Sequence, residues 1–216
     1  MSFCEIDPST HALSSRLSVV LYLTVFFAFT ASIFDLSQIL TRGRSNTDNG
    51  KGLNAVAGLI AAREIFYAVS VGLRFLFFWL FVAEPPRGEI VKHTPFDPFA
   101  NFFVEEMHSG AWGRWGIPGL ILKWTLLAVT FTIGILQMIW RIVPSANMFG
   151  PVYGADAAME IVISALFVIK LLLNTLITPI TPRSKTLRRY ATMIIALVIN
   201  LGLGVGNIAI CEFLHV

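Results

Sequence analysis

The sequence predicts an all-α integral membrane bundle of about five transmembrane helices, and three observations carry that prediction. Of the 216 residues, 56% are hydrophobic and only 13% are charged. A soluble domain carries about a quarter charged residues, so too few remain here to cover a water-facing surface. The mean hydropathy is +0.73. The apolar residues also come in long blocks, not in alternating or heptad patterns. A block of about 20 such residues crosses a hydrocarbon core of roughly 30 Å as a helix.

Five blocks qualify as spans: residues 17–40, 54–83, 117–142, 157–180 and 191–216. The first is too long for a signal-peptide core and no small-x-small cleavage site follows it, which makes it an anchor. The second carries Arg63, Glu64 and Arg74. Its most apolar part, 65–83, puts Arg63 and Glu64 at headgroup level, and tilt absorbs the extra length. An arginine at a helix centre costs about 2.5–3.5 kcal/mol, while each Leu, Ile, Phe or Val returns about 0.3–0.6. Roughly a dozen of these lie between Ile65 and Val82, so Arg74 does not prevent insertion.

The connections are short except for 84–116. That segment opens Glu84-Pro-Pro-Arg-Gly-Glu89, where consecutive prolines forbid a continuous helix. Asp97-Pro98 then reads as an N-cap followed by proline at the first helical position. The spacing of Phe99, Phe102, Phe103 and Met107 predicts a short interfacial helix over 98–109, with Trp112 and Trp115 as belt residues. A loop packed on the helix ends accounts for the same residues. No repeat or linker interrupts the chain, which is expected to form one membrane domain over 1–216. It stops almost flush with the last span, as a shortened form of a longer protein does.

Lys and Arg near the span ends orient the bundle. With the N-terminus inside, the cytoplasmic side receives eight: Arg16, Arg87, Lys92, Arg114, Arg183, Lys185, Arg188 and Arg189. The reverse orientation gives it four: Arg42, Arg44, Lys51 and Arg141. The count leans to N-in, C-out, although the basic loop 41–53 then faces outward. Seven-helix receptors run N-out, so the orientation leans away from them.

Polar groups within hydrocarbon are costly and turn toward a bundle interior or cavity. At 100° per residue, Thr24, Ala28, Ala31 and Asp35 share a face of the first span, and Arg63, Tyr67, Ser70 and Arg74 share one of the second. The third aligns Lys123, Thr130, Gly134, Gln137 and Arg141. Its two cations lie near the helix ends and can snorkel. The fourth aligns Glu160, Ser164 and Thr178, with Asn174 nearby and Lys170 further round; the fifth gathers Asn200, Gly204, Asn207 and Cys211 beside Gly202-x-x-x-Gly206. The candidate intramembrane cluster is therefore Asp35, Arg63, Glu64, Arg74, Glu160, Lys170, Asn174, Asn200 and Asn207. It serves either as structural glue between helices or as the lining of a polar cavity that binds or conducts. Lys170 is the deepest charge, roughly 15–20 Å from either end of its span at 1.5 Å per residue. Glu160 is too far along the same helix to pair with it directly, so Asp35 or Glu64 on another span is the expected partner.

Enzyme chemistry is not expected. Four histidines cannot build the histidine boxes of membrane oxidases. Glu105-x-x-His108 has the spacing of one carboxylate–histidine pair, but a di-iron site needs two such pairs and further glutamates. No Gly-x-Ser-x-Gly, His-Glu-x-x-His or P-loop occurs, and no cofactor is implied. Cys4 and Cys211 make no disulfide framework, and no Asn-x-Ser/Thr sequon is present. A net charge of +3 is too small to argue for nucleic acid. The lipid bilayer is the partner implied, with a membrane-protein oligomer as a second.

Three stretches carry a resemblance: Arg63-Glu64 through Ser70-Val-Gly-Leu-Arg74-Phe-Leu-Phe-Phe-Trp79 to Pro85-Pro-Arg-Gly-Glu89; His108-Ser-Gly-Ala-Trp-Gly-Arg-Trp-Gly116; and Leu136-Gln-Met-Ile-Trp-Arg141. Together they resemble a group of fungal multi-pass membrane proteins of uncharacterised activity, over most of the chain. The resemblance implies a eukaryotic membrane and longer relatives with further spans and a polar tail; it implies no chemistry. Three functional readings follow: a receptor-like or sensory bundle, a transporter or channel component lined by Lys170, Glu160, Asn174 and Asn200, and a structural membrane subunit. Paired half-helices broken at matching places would favour transport, and the sequence has no such symmetry.

Overall fold

The computed structural model describes residues 8–44, 51–83, 112–142, 146–177 and 183–214, and all of them are helical. The helices are α1 (Pro8–Arg44), α2 (Lys51–Ala83), α3 (Gly116–Ile142), α4 (Ala146–Ile177) and α5 (Arg183–Leu214), with a 3₁₀ turn at Trp112–Trp115 leading into α3. The protein is an all-α helical membrane bundle. Among the described residues, three stretches are long and apolar enough to cross a membrane: Arg16–Thr41, Val56–Ala83 and Gly116–Ile139. A shorter apolar stretch, Tyr190–Gly206, lies in α5.

The described part of each apolar block falls on one helix, and each helix begins before its block does. Hydropathy marks the part of a helix that sits in hydrocarbon; the helix itself continues until something breaks it. Thus α1 starts at Pro8, a residue suited to a first helical position. Likewise α4 starts at Ala146 and runs through Pro151, whose missing N–H removes one ladder bond close to the helix start. The segment 182–190, expected as a basic loop, is corrected: Arg183–Tyr190 form the first turns of α5. After Pro182 it holds Arg, Lys and Leu, good helix formers, and no breaker. The expected interfacial helix 98–109, with Glu105 and His108, lies outside the described residues.

The chain clusters into two compact units. One is drawn from Met1–Phe77 and Phe131–Tyr153. There Ala31 and Ala68 are fully buried, and the Phe66 ring packs on Phe27 and Phe34 at 5.6 and 5.4 Å between centroids. Gly72 of α2 and Gly134 of α3 face each other, each Cα about one van der Waals contact from where the other's Cβ would stand. Small residues of this kind let membrane helices approach backbone to backbone. On α1 the hydroxyls of Thr24, Thr30, Ser32, Ser37 and Thr41 each donate to the carbonyl four residues earlier. Their polarity is thereby satisfied within the helix, while Val25, Phe29 and Leu36 stay exposed as a lipid-facing surface would.

The other unit is drawn from Phe78–Thr130 and Gly154–Val216. Its core holds Val82, Leu126, Ile163, Phe167, Leu171 and Leu197, all buried. The Trp79 indole N–H donates to the Lys123 carbonyl at 3.1 Å, and the Phe81 ring meets Tyr190 edge-on. Gly204 packs against Ile161 of α4, whereas Gly202 and Gly206 would find nothing within 4 Å of an added Cβ. The Gly-x-x-x-Gly spacing therefore closes no helix contact among the described residues.

Candidate functional site

In the first unit the polar stripes of three helices meet. Ser70 donates to the Thr24 carbonyl at 3.0 Å, which sets α2 against α1 in the register that brings Arg63 to Asp35. The Arg63 guanidinium lies 2.6 Å from the Asp35 carboxylate and also pairs with its neighbour Glu64. Successive helical residues do not face each other, so this contact needs the reach of both side chains. The second oxygen of Glu64 takes Arg141 of α3 at 2.6 Å. Arg141 in turn donates to the Gln137 amide oxygen at 3.0 Å, one helical turn back, and its guanidinium lies 5.7 Å from the Tyr67 ring centre.

Glu64 is the hub. Its side chain is only 14% exposed, against 42% for Asp35 at the wetter end of the network. Two guanidinium groups face two carboxylates, so the cluster carries no net charge, the condition under which ion pairs are tolerated away from water. Arg74 points elsewhere: its guanidinium carbon lies 5.4 Å from the ring centre of Phe75.

In the second unit α4 turns one polar face inward. Asp156, Glu160, Ser164, Lys170 and Asn174 are all buried, and at 100° per residue they fall on one side of the helix. Ser164 accepts a 3.0 Å hydrogen bond from the Asn200 amide of α5. Fully buried Phe167 and Leu171 interrupt the face. Lys170, placed further round by the sequence pattern, belongs to this same buried face.

The Lys170 ammonium sits 4.7 Å from the ring centre of Trp112 and 4.3 Å from that of Trp115. A cation that close to an indole face is held by the ring quadrupole. The local sequence explains the two walls. In a 3₁₀ turn, residues three apart eclipse each other, so Trp112 and Trp115 emerge side by side, 5.7 Å apart and edge to face. Gly116 then takes φ 65°, a left-handed conformation that reverses the chain into α3. Pro118 follows in the first turn of the helix, where its missing N–H has no helical partner anyway. Gly119 lets the Trp112 backbone fold onto the helix, since a Cβ there would stand 2.1 Å from the Trp112 carbonyl oxygen.

Two corrections to the sequence reading follow. Asp35 and Glu64, expected to hold Lys170, are engaged by Arg63 and Arg141. Trp112 and Trp115, expected as belt residues, hold the Lys170 ammonium. The structure thus brings Asp35, Arg63 and Glu64 together in one unit, and places Glu160, Lys170, Asn174 and Asn200 in the other. The Asn207 side chain is outside the described residues. The candidate cluster left out Arg141, Gln137, Asp156 and the two tryptophans. The shared face of Gln137 and Arg141 signalled the first pair, and Trp-Gly-Arg-Trp-Gly-Ile-Pro-Gly signalled a structured turn. Among the described residues, no group of three or more His, Cys, Asp or Glu side chains could hold a metal ion. No protein-family model matches this chain, nor does any curated protein or solved structure.

Proposed function

We propose that this chain is a multi-pass membrane protein of receptor-like, sensory type: a non-enzymatic bundle that answers a bound ligand by repacking its helices. The observation that supports this is the inward face of α4. It gathers five polar or charged side chains, Asp156, Glu160, Ser164, Lys170 and Asn174, in the buried interior. Phe167, at 0% exposure, stands between the Ser164–Asn200 pair and Lys170. A buried phenyl ring at that place suits packing linked to a ligand better than a continuous path for ions, the arrangement a transporter would use.

Two measurements test the reading. Purified protein in liposomes should pass no K⁺ or H⁺ beyond empty vesicles; saturable flux would move the chain to the transporter reading. For topology, a cysteine at Ser184 should react with an impermeant thiol reagent only after cells are permeabilised, because Arg183, Lys185, Arg188 and Arg189 resist translocation. Labelling of intact cells would reverse the N-in orientation.

A further inference from the structure

We propose that the Trp112–Trp115 pair is a binding site for quaternary ammonium groups, which Lys170 occupies as a tethered cation. This deepens the receptor-like reading by naming a ligand class, and its test does not depend on signalling. Two indole faces set edge to face, with a cation within 5 Å of both, have the chemistry of sites that recognise methylated ammonium ions. Such sites select charge and apolar surface together. A trimethylammonium head offers more of both to two indole walls than a lysine ammonium does.

The walls do not depend on the occupant. Gly116 at φ 65° and the close approach at Gly119 hold the turn through the backbone, so the pair keeps its geometry when the lysine leaves. Lys170 can leave, because its cation rides on a flexible four-carbon stem. Access exists as well: Trp112 is 3% exposed, but Trp115 is only half-buried, so the second wall reaches the surface. The buried Trp112 indole N–H has no hydrogen-bond acceptor among the described residues. A ligand with an oxygen near its ammonium supplies one, which favours choline over tetramethylammonium.

Choline chemistry has two sources at a membrane, the phosphatidylcholine headgroup and the free solute. The test uses full-length protein in nanodiscs of phosphatidylglycerol and equilibrium binding of radiolabelled choline. Wild type should bind weakly, Lys170→Ala at least tenfold more tightly, and Trp115→Leu should lose binding in either background. Lys170→Met, which keeps the volume, stands in if the alanine variant does not fold and should also bind more tightly than wild type. Nanodiscs of phosphatidylcholine separate the sources: reduced choline binding assigns the site to the lipid headgroup, and unchanged binding assigns it to the solute. Equal binding by wild type and the folded Lys170 variant, or binding that survives Trp115→Leu, overturns the proposal. Neither result touches the flux and topology measurements.

Discussion

Glu64→Leu should destabilise the first unit by about 3 kcal/mol, toward the lower end for a broken buried ion pair because the network is partly exposed. In a detergent melt or a denaturant titration, that is roughly a hundredfold change in the folded-to-unfolded ratio. Glu64 alone gives one carboxylate oxygen to Arg63 and the other to Arg141. Its removal takes the carboxylate from Arg141, which also meets the Gln137 amide and the Tyr67 ring, and leaves Arg63 paired with the half-exposed Asp35. Glu64→Gln keeps an acceptor and should lose less. Adding Arg141→Met to Glu64→Leu should recover part of the loss, since an apolar side chain of similar length replaces the orphaned charge. A melting point for Glu64→Leu indistinguishable from wild type would mean that the network is an incidental surface feature.

Gly119→Ala should cost about 2–3 kcal/mol, although alanine is normally the better helix former. The new methyl group would stand 2.1 Å from the Trp112 carbonyl oxygen and 2.8 Å from the Trp115 Cβ. Backbone cannot yield there cheaply, so the turn must lift away from α3 and take both indole rings off Lys170. The loss should come with red-shifted tryptophan emission as the buried Trp112 reaches a more polar medium. Gly58→Ala is the control: its methyl group would meet nothing within 4 Å, so helix propensity alone should act, and stability should hold or rise by about 0.5–1 kcal/mol. The idea fails if the two alanine variants behave alike.

Much of the architecture was legible in the sequence because a bilayer imposes a coarse rule: apolar blocks of a given length become helices. The ends of α2 at Ala83 and of α3 at Ile142 fell where the apolar pattern stopped. The start of α4 did not, because the helix begins at Ala146 in a stretch where Asn, Gly, Pro and Asp break up the apolar pattern. The polar stripes were legible too, since 100° per residue is a property of every helix. Which stripe meets which is a tertiary fact. Charge matching alone allowed Lys170 to join Asp35 or Glu64, and it could not say that two arginines would engage those acids. Nor does it register an aromatic ring as a partner for a cation, although Trp112 and Trp115 were both in view.

The order of the Lys170 cage along the chain bears on how the protein is made. Trp115 precedes Lys170 by about 55 residues, which is roughly 3–11 s of synthesis at 5–20 residues per second. The residues of the receiving turn, Gly116 and Gly119 among them, are therefore synthesised before the lysine. Arg63 likewise follows Asp35, and Arg141 follows Glu64. In each of these pairs, Asp35 with Arg63 and Glu64 with Arg141, the cation is synthesised after its partner. No positive charge in these clusters has to wait in lipid for a helix that has yet to be translated.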